Sequence, residues 1–190
     1  MIHFLALRLA DEPRDRLAMI AERLQAWQLP AAWVHPEDYH LTLAYIGELD
    51  DDEVRVLPHV IGDVAGSLRR PELRFSGLGA QGGRAEPRVV FAALDDPEHA
   101  CAGMHADLCA ALDLPARRQF SPHVTLCRPR TSAARELAAA SGGHDWPGMF
   151  AANGLADWGA CPTTDLVLYQ SAGQQQIRYR ALARWPLVAA

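Results

Sequence analysis

His40-Leu41-Thr42-Leu43 and His123-Val124-Thr125-Leu126 repeat one four-residue pattern in the two halves of the chain. With eight His and five Thr in 190 residues, chance supplies a His-x-Thr only about 0.2 times, so two copies, each followed by Leu, require a cause. Each copy sits in an alternating run, residues 39–46 and 121–127, and a strand sends successive side chains to opposite faces. The alternation predicts His40, Thr42 and Ala44 on one face, and His123, Thr125 and Cys127 on the equivalent face of a second strand. Leu41, Leu43 and Tyr45, with Val124 and Leu126, fall on the opposite faces, where a helix would cover them. Chemistry points one way and core the other.

Working outward from the motifs, residues 2–9 form an apolar first strand, and residues 13–27 an amphipathic helix with Leu17, Ile20, Ala21 and Leu24 on one side. Pro13 suits its first turn. After the first motif, Gly47 ends the run and Asp50-Asp51-Asp52-Glu53 supplies the cap and first-turn acids of a helix to about Leu68. Residues 73–78 and 88–94 are expected as strands around a Gly-rich hairpin or mobile loop at 79–83. Asp95 or Asp96 caps a helix over 97–112, the second motif strand follows, and 135–140 forms a short extra helix. Residues 149–152, 165–171 and 177–185 are read as closing strands. Two similar passages, each a helix leading into a His-x-Thr strand, predict an α+β chain folded as one bilobal unit over residues 1–190, with the motif faces meeting in a cleft.

Composition narrows the chemistry. The chain is 49% hydrophobic and 22% charged, as expected of a globular protein. It has no stretch long enough to span a membrane, and its opening apolar run is too short for a secretory signal; the expectation is a cytoplasmic protein without a membrane partner, and a monomer. Four cysteines without C-x-x-C spacing read as buried thiols. All 18 basic residues are Arg. Without lysine there is no P-loop amine, no Schiff base and no lysyl-adenylate, and a net charge of −5 argues against a broad nonspecific nucleic-acid coat.

A neutral imidazole accepts a proton and an imidazolium donates one, and an ordinary pKa near 6.5 makes both forms accessible. Two histidines flanking a phosphodiester in line can therefore take a proton from water on one side and protonate the departing oxygen on the other. Two residues along a strand span roughly 6.5 Å, so each Thr hydroxyl can donate to the same phosphate that its His addresses. A two-histidine metal site would need a supporting carboxylate, which neither motif supplies. Hence no cofactor and no metal are expected.

The paired motifs resemble the 2H phosphoesterase superfamily, and the flanks are similar to its bacterial and archaeal RNA 2′,3′-cyclic phosphodiesterases, also called 2′-5′ RNA ligases. The likeness runs through Phe4-Leu5-Ala6-Leu7, Trp33, Pro36, the stretch from His40 to Glu48, Phe75-Ser76-Gly77-Leu78-Gly79, Arg88-Val89-Val90-Phe91, Phe120-Ser121-Pro122 before His123, Leu168-Tyr169-Gln170-Ser171 and Trp185-Pro186-Leu187. It implies two antiparallel-sheet lobes with pseudo-twofold symmetry around a central cleft, and metal-independent hydrolysis of a 2′,3′-cyclic phosphate RNA end to a 2′-phosphate. His40 would be the general acid toward the 3′ oxygen and His123 the base toward water, although near symmetry lets the roles exchange. Thr42 and Thr125 would hold the phosphate, Arg128 would contact it with Arg130 as a neighbour, and Phe120 would stack on a base. Arg8, the 79–87 loop and residues 135–148 depart from the family pattern and bear on substrate size. The competing functions are cleavage of a small cyclic nucleotide, an ADP-ribose cyclic phosphate or a 2′-5′ oligonucleotide, and noncatalytic binding of RNA ends.

Overall fold

The computed structural model describes residues 1–130, 145–173 and 177–189. The expected helix at 135–140 and the loop position of His144 lie outside the described residues. In chain order the elements are β1 (Ile2–Leu9), α1 (Asp11–Gln25), β2 (Ala31–Trp33), a 3-10 turn (Pro36–Asp38), β3 (His40–Glu48), α2 (Asp51–Ala65), β4 (Arg74–Gln81), β5 (Val89–Asp95), α3 (Ala100–Ala111), β6 (His123–Pro129), a helix Trp146–Asn153 (α4 below), β7 (Gly159–Ala160), β8 (Thr163–Ser171) and β9 (Tyr179–Pro186). Among the described residues the strands make one antiparallel sheet in the order β7-β4-β5-β6-β3-β1-β8-β9, with β2 alongside β6.

The sheet is two lobes joined at one point. Between the motif strands the ladder has a single rung, Leu41 opposite Val124, and these residues hold the same place in the two motifs. A pseudo-twofold axis therefore passes through that rung, relating β3, β1, β8 and β9 to β6, β5, β4 and β7. The chain order repeats accordingly: β1 leads through α1 to β3, and β5 leads through α3 to β6. The expected α+β bilobal architecture is thus present, with the lobes as halves of one curled sheet.

Apolar periodicity builds the core. Pro13, Leu17, Ala21 and Leu24 are the buried stripe of α1, and Leu57, Ile61 and Ala65 that of α2. Both lie against a cluster that includes Leu5, Leu7, Leu41, Val124, Leu126, Leu166 and Leu168; full burial of each such side chain stabilises by roughly 1.5–3 kcal/mol. Asp50 caps α2 through Asp52 and Glu53 N–H groups, and Glu53 answers on the Asp50 N–H, a reciprocal box. Asp96 accepts from the Ala100 and Cys101 amides at 3.0 and 2.9 Å to start α3. No helix of the described residues is long and apolar enough to cross a membrane.

Three expectations are corrected. Residues 149–152, read as a strand, lie in α4: Asp145 caps it by accepting from Gly148 N–H at 2.8 Å, Pro147 fits its first turn, and so short an apolar run carries no period that separates strand from helix. Gly47 does not end β3; it continues in the left-handed region at φ 102°, where glycine is at ease, as part of a register shift opposite His3 and Phe4. The alternation itself fails beyond each Thr. On β1, Leu5 pairs with Ala44 but Ala6 with Thr42, so Leu43 is an extra residue; on β5, Val90 pairs with Cys127 but Phe91 with Thr125, so Leu126 is extra. Each bulge reverses the faces after it. Ala44 and Cys127, expected beside the Thr residues, are buried, whereas Tyr45, expected in the core, is exposed, as is Arg128.

Candidate active site

The two bulges define the cleft. From the histidine onward β3 and β6 share one burial sequence over six residues: half-buried His, buried Leu or Val, half-buried Thr, two buried residues, then an exposed side chain. The exposed residue three beyond each Thr, Tyr45 or Arg128, is turned toward the cleft. Each bulge also frees a carbonyl from the ladder. The Leu126 carbonyl accepts from Val34 N–H at 2.8 Å, and the Leu43 carbonyl accepts from the His105 ring at 2.7 Å.

Both motif histidines are held in the same way. Nδ1 of His40 donates to the Asp38 carbonyl at 2.6 Å, and Nδ1 of His123 donates to the Ser121 carbonyl at 2.8 Å. A carbonyl can only accept, so Nδ1 carries the hydrogen and the neutral ring keeps its lone pair on Nε2. The Thr42 hydroxyl donates to Nε2 of neutral His40 at 3.1 Å. Phe4 lies 4.9 Å from the His40 ring, Tyr179 stands edge-on at 5.1 Å and Tyr169 is at 5.8 Å, while Phe91 flanks His123 at 4.7 Å. Burial among these rings lowers the His40 pKa to about 4, against the hydrogen bond to Asp38, which raises it; the positive charges of His123 and Arg128 lower it further.

Two chambers open on either side of the motif threonines. The first, about 320 Å³, is lined by His40, Phe4, Trp33, Tyr179 and Arg178 among others; the second, about 520 Å³, by His123, Phe91, Phe120, Arg117 and Gln119 among others. Thr42, Thr125, Tyr45 and Arg128 line both and so form the shared saddle. Each chamber falls in the size range of small-molecule sites.

The fold thus gathers His40, His123, Thr42, Thr125 and Arg128 around one saddle. Phe120 lines the second chamber, but one face of its ring stacks on His105 at 4.8 Å and 22°. Arg130 lines neither chamber; its amide bonds the Pro30 carbonyl at the β2 edge. Reading of the motifs missed Tyr45, Asp38, Tyr179, Arg178, Phe91 and His105. Tyr45 and Arg128 stand at one offset in the two motifs, a signal available in the sequence; the others reach the site only through tertiary contacts. Among the described residues no three His, Cys, Asp or Glu side chains converge as a metal-ligand set.

A pseudo-symmetric sheet presenting one His-x-Thr face from each lobe to a common saddle is the arrangement that the resemblance to 2H phosphoesterases implies. A family model described as LigT like Phosphoesterase matches residues 7–91. The chain is similar to this family over that stretch. It is 27% identical over 199 residues to the RNA 2′,3′-cyclic phosphodiesterase of Geobacillus stearothermophilus, covering 99% of this chain and 58% of that one, and thus spans just over half the length of that relative. It is 31% identical over 106 residues to the protein of the same name from Bacillus subtilis (strain 168), covering 52% of this chain and 56% of that one. In fold it is similar to TT0787 of Thermus thermophilus, with a TM-score of 0.73, 22% identity and coverage of 100% and 99% of the two chains. It is also similar to E. coli LigT complexed with 3′-AMP, with a TM-score of 0.62, 22% identity and 98% coverage of both.

Proposed function

We propose that the protein is a metal-independent RNA 2′,3′-cyclic phosphodiesterase that opens the cyclic end to a 2′-phosphate, acting as a cytoplasmic monomer over residues 1–190. One observation carries this reading: matching Nδ1–carbonyl bonds at His40 and His123 make Nε2 the proton-exchanging nitrogen of each ring, that of His40 held by the Thr42 hydroxyl, beside a saddle bearing two Thr hydroxyls. In the reaction His123 takes a proton from water, the new O–P bond forms, the P–O3′ bond breaks, and His40 delivers a proton to O3′. Thr42 and Thr125 donate to the nonbridging oxygens, and Arg128 offsets their growing charge. In-line attack then puts the nucleoside in the His40 chamber, beside Trp33 and Tyr179, and water in the His123 chamber. Burial favours a neutral His40 in the free protein, and the anionic phosphodiester supplies the charge that returns its proton on binding. The name that the relatives share, and the 3′-AMP complex of E. coli LigT, support a nucleotide with a phosphorylated ribose.

The volume on the His123 side favours a second reading of the same site. A ribose 5′-hydroxyl in place of water would make a 2′-5′ bond by reversal of ring opening, with no ATP.

The test is a short RNA bearing a 2′,3′-cyclic phosphate, incubated in EDTA with wild type, His40→Ala and His123→Ala. Wild type should give a 2′-phosphate, and each variant should lose about 10²–10⁴-fold in turnover. A 3′-phosphate product, or variants as fast as wild type, would refute the assignment. Turnover of cyclic mononucleotides but not RNA would favour the small-molecule alternative, and RNA binding without product the noncatalytic one.

A further inference from the structure

His105, on α3, is one of the few buried polar residues of the described chain, 5% exposed. Its Nδ1–H donates to the Leu43 carbonyl at 2.7 Å. The Arg117 backbone N–H donates to its Nε2 at 2.8 Å. Its ring face stacks on Phe120. One neutral imidazole, with both nitrogens used, therefore ties together two separate stretches of chain, the β3 bulge at Leu43 and the loop from Arg117 to Phe120.

Those stretches are the ones that aim the two motifs. Leu43 is the extra residue of the first bulge, directly after Thr42, and its carbonyl accepts the Nδ1–H of His105. Phe120 precedes Ser121, whose carbonyl holds Nδ1 of His123, and Arg117 belongs to the loop that walls the second chamber. The ladder itself couples the motif strands through only the Leu41–Val124 rung. The second bulge has no matching strut, because its carbonyl is taken by the Val34 backbone amide.

We propose that His105 is a positioning residue: it fixes Thr42 and the approach to His123 relative to each other, across the pseudo-twofold axis, and thereby sets the spacing of the two motif faces. The inference rests on the phosphodiesterase reading for its catalytic consequence, but not for its structural one. Because a neutral imidazole presents a donor and an acceptor about as far apart as the N and O of a carboxamide, glutamine is the conservative replacement.

The test compares wild type, His105→Ala, His105→Gln and Leu108→Ala, the last truncating a fully buried side chain of the same helix, on a 2′,3′-cyclic phosphate substrate and by amide hydrogen exchange. His105→Ala should lower kcat about 10–100-fold with KM within about threefold, and Arg117 amide exchange should speed up at least about tenfold while β8 amides stay protected. His105→Gln should recover most of both. Leu108→Ala should lose thermal stability but keep kcat. Equal kcat losses in His105→Ala and Leu108→Ala, or a His105→Gln variant that slows Arg117 exchange without recovering kcat, would overturn the proposal. Inactive wild type would refute the phosphodiesterase reading instead, and Arg117 exchange unchanged in His105→Ala would then refute the strut.

Discussion

Gly79 lacks a side chain where one would run into the Phe91 ring, and Phe91 in turn flanks His123. The two residues face each other across the β4–β5 ladder, so the aromatic ring lies down over the glycine and keeps its place beside the imidazole. A Cβ at position 79 meets the far end of the ring, which can swing aside; the cost falls on His123 rather than on the fold. Gly79→Ala should therefore lower kcat by about tenfold while Tm stays within about 3 °C, measured by steady-state kinetics and thermal unfolding. Unchanged kcat would mean that the ring does not constrain His123. The sequence shows Gly79 only as part of a Gly-rich stretch, since the clash that requires it involves a residue from the next strand.

The elements around His40 are tied together by Asp38, at the end of the 3-10 turn before β3. Its backbone carbonyl takes Nδ1 of His40, while its carboxylate oxygens accept from the Arg178 and Tyr179 amides at 2.9 and 3.2 Å. Tyr179 opens β9 and stands edge-on to His40, so one residue sets both the ring's tautomer and its wall. Burial raises the Asp38 pKa, against the lowering effect of those two amides. Asp38→Asn keeps one acceptor but points an NH₂ at the other amide. It should destabilise by about 1–3 kcal/mol, lower Tm by about 2–10 °C and reduce kcat about tenfold; calorimetry and kinetics on the same sample check it, and full activity would show that Tyr179 holds its place without the carboxylate. At this scale the helix caps at Asp50 and Asp96 were legible because capping is local. The bulges were not, because an extra residue is defined only against the partner strand.

At the scale of the molecule, the two lobes set the electrostatics of the cleft. Aromatic rings from β1, β8 and β9 remove water from His40, and His123 and Arg128 from the other lobe add positive charge. For a pair of titrating imidazoles the acid limb of the activity profile follows the more readily deprotonated member, whichever is the acid. A phosphodiester keeps its single charge across this range, so kcat/KM should fall on the acid side with a midpoint near pH 4 rather than 6.5, because His40 gains its proton only there. In kcat the same limb should lie at higher pH, since the bound phosphate anion favours the imidazolium. Coincident limbs near pH 6.5 would show that His40 keeps its ordinary value. The sequence by itself determined most of the elements, though not the helix Trp146–Asn153 or the short strands β2 and β7, together with the duplicated motif and the four side chains His40, Thr42, His123 and Thr125, because periodicity and a His-x-Thr spacing are properties of adjacent residues. Only the tertiary structure decided that Tyr45 and Arg128 turn into the cleft, that Phe120 stacks on His105, and that His40 is held neutral, because bulge register, ring packing and desolvation each depend on residues brought from elsewhere in the chain.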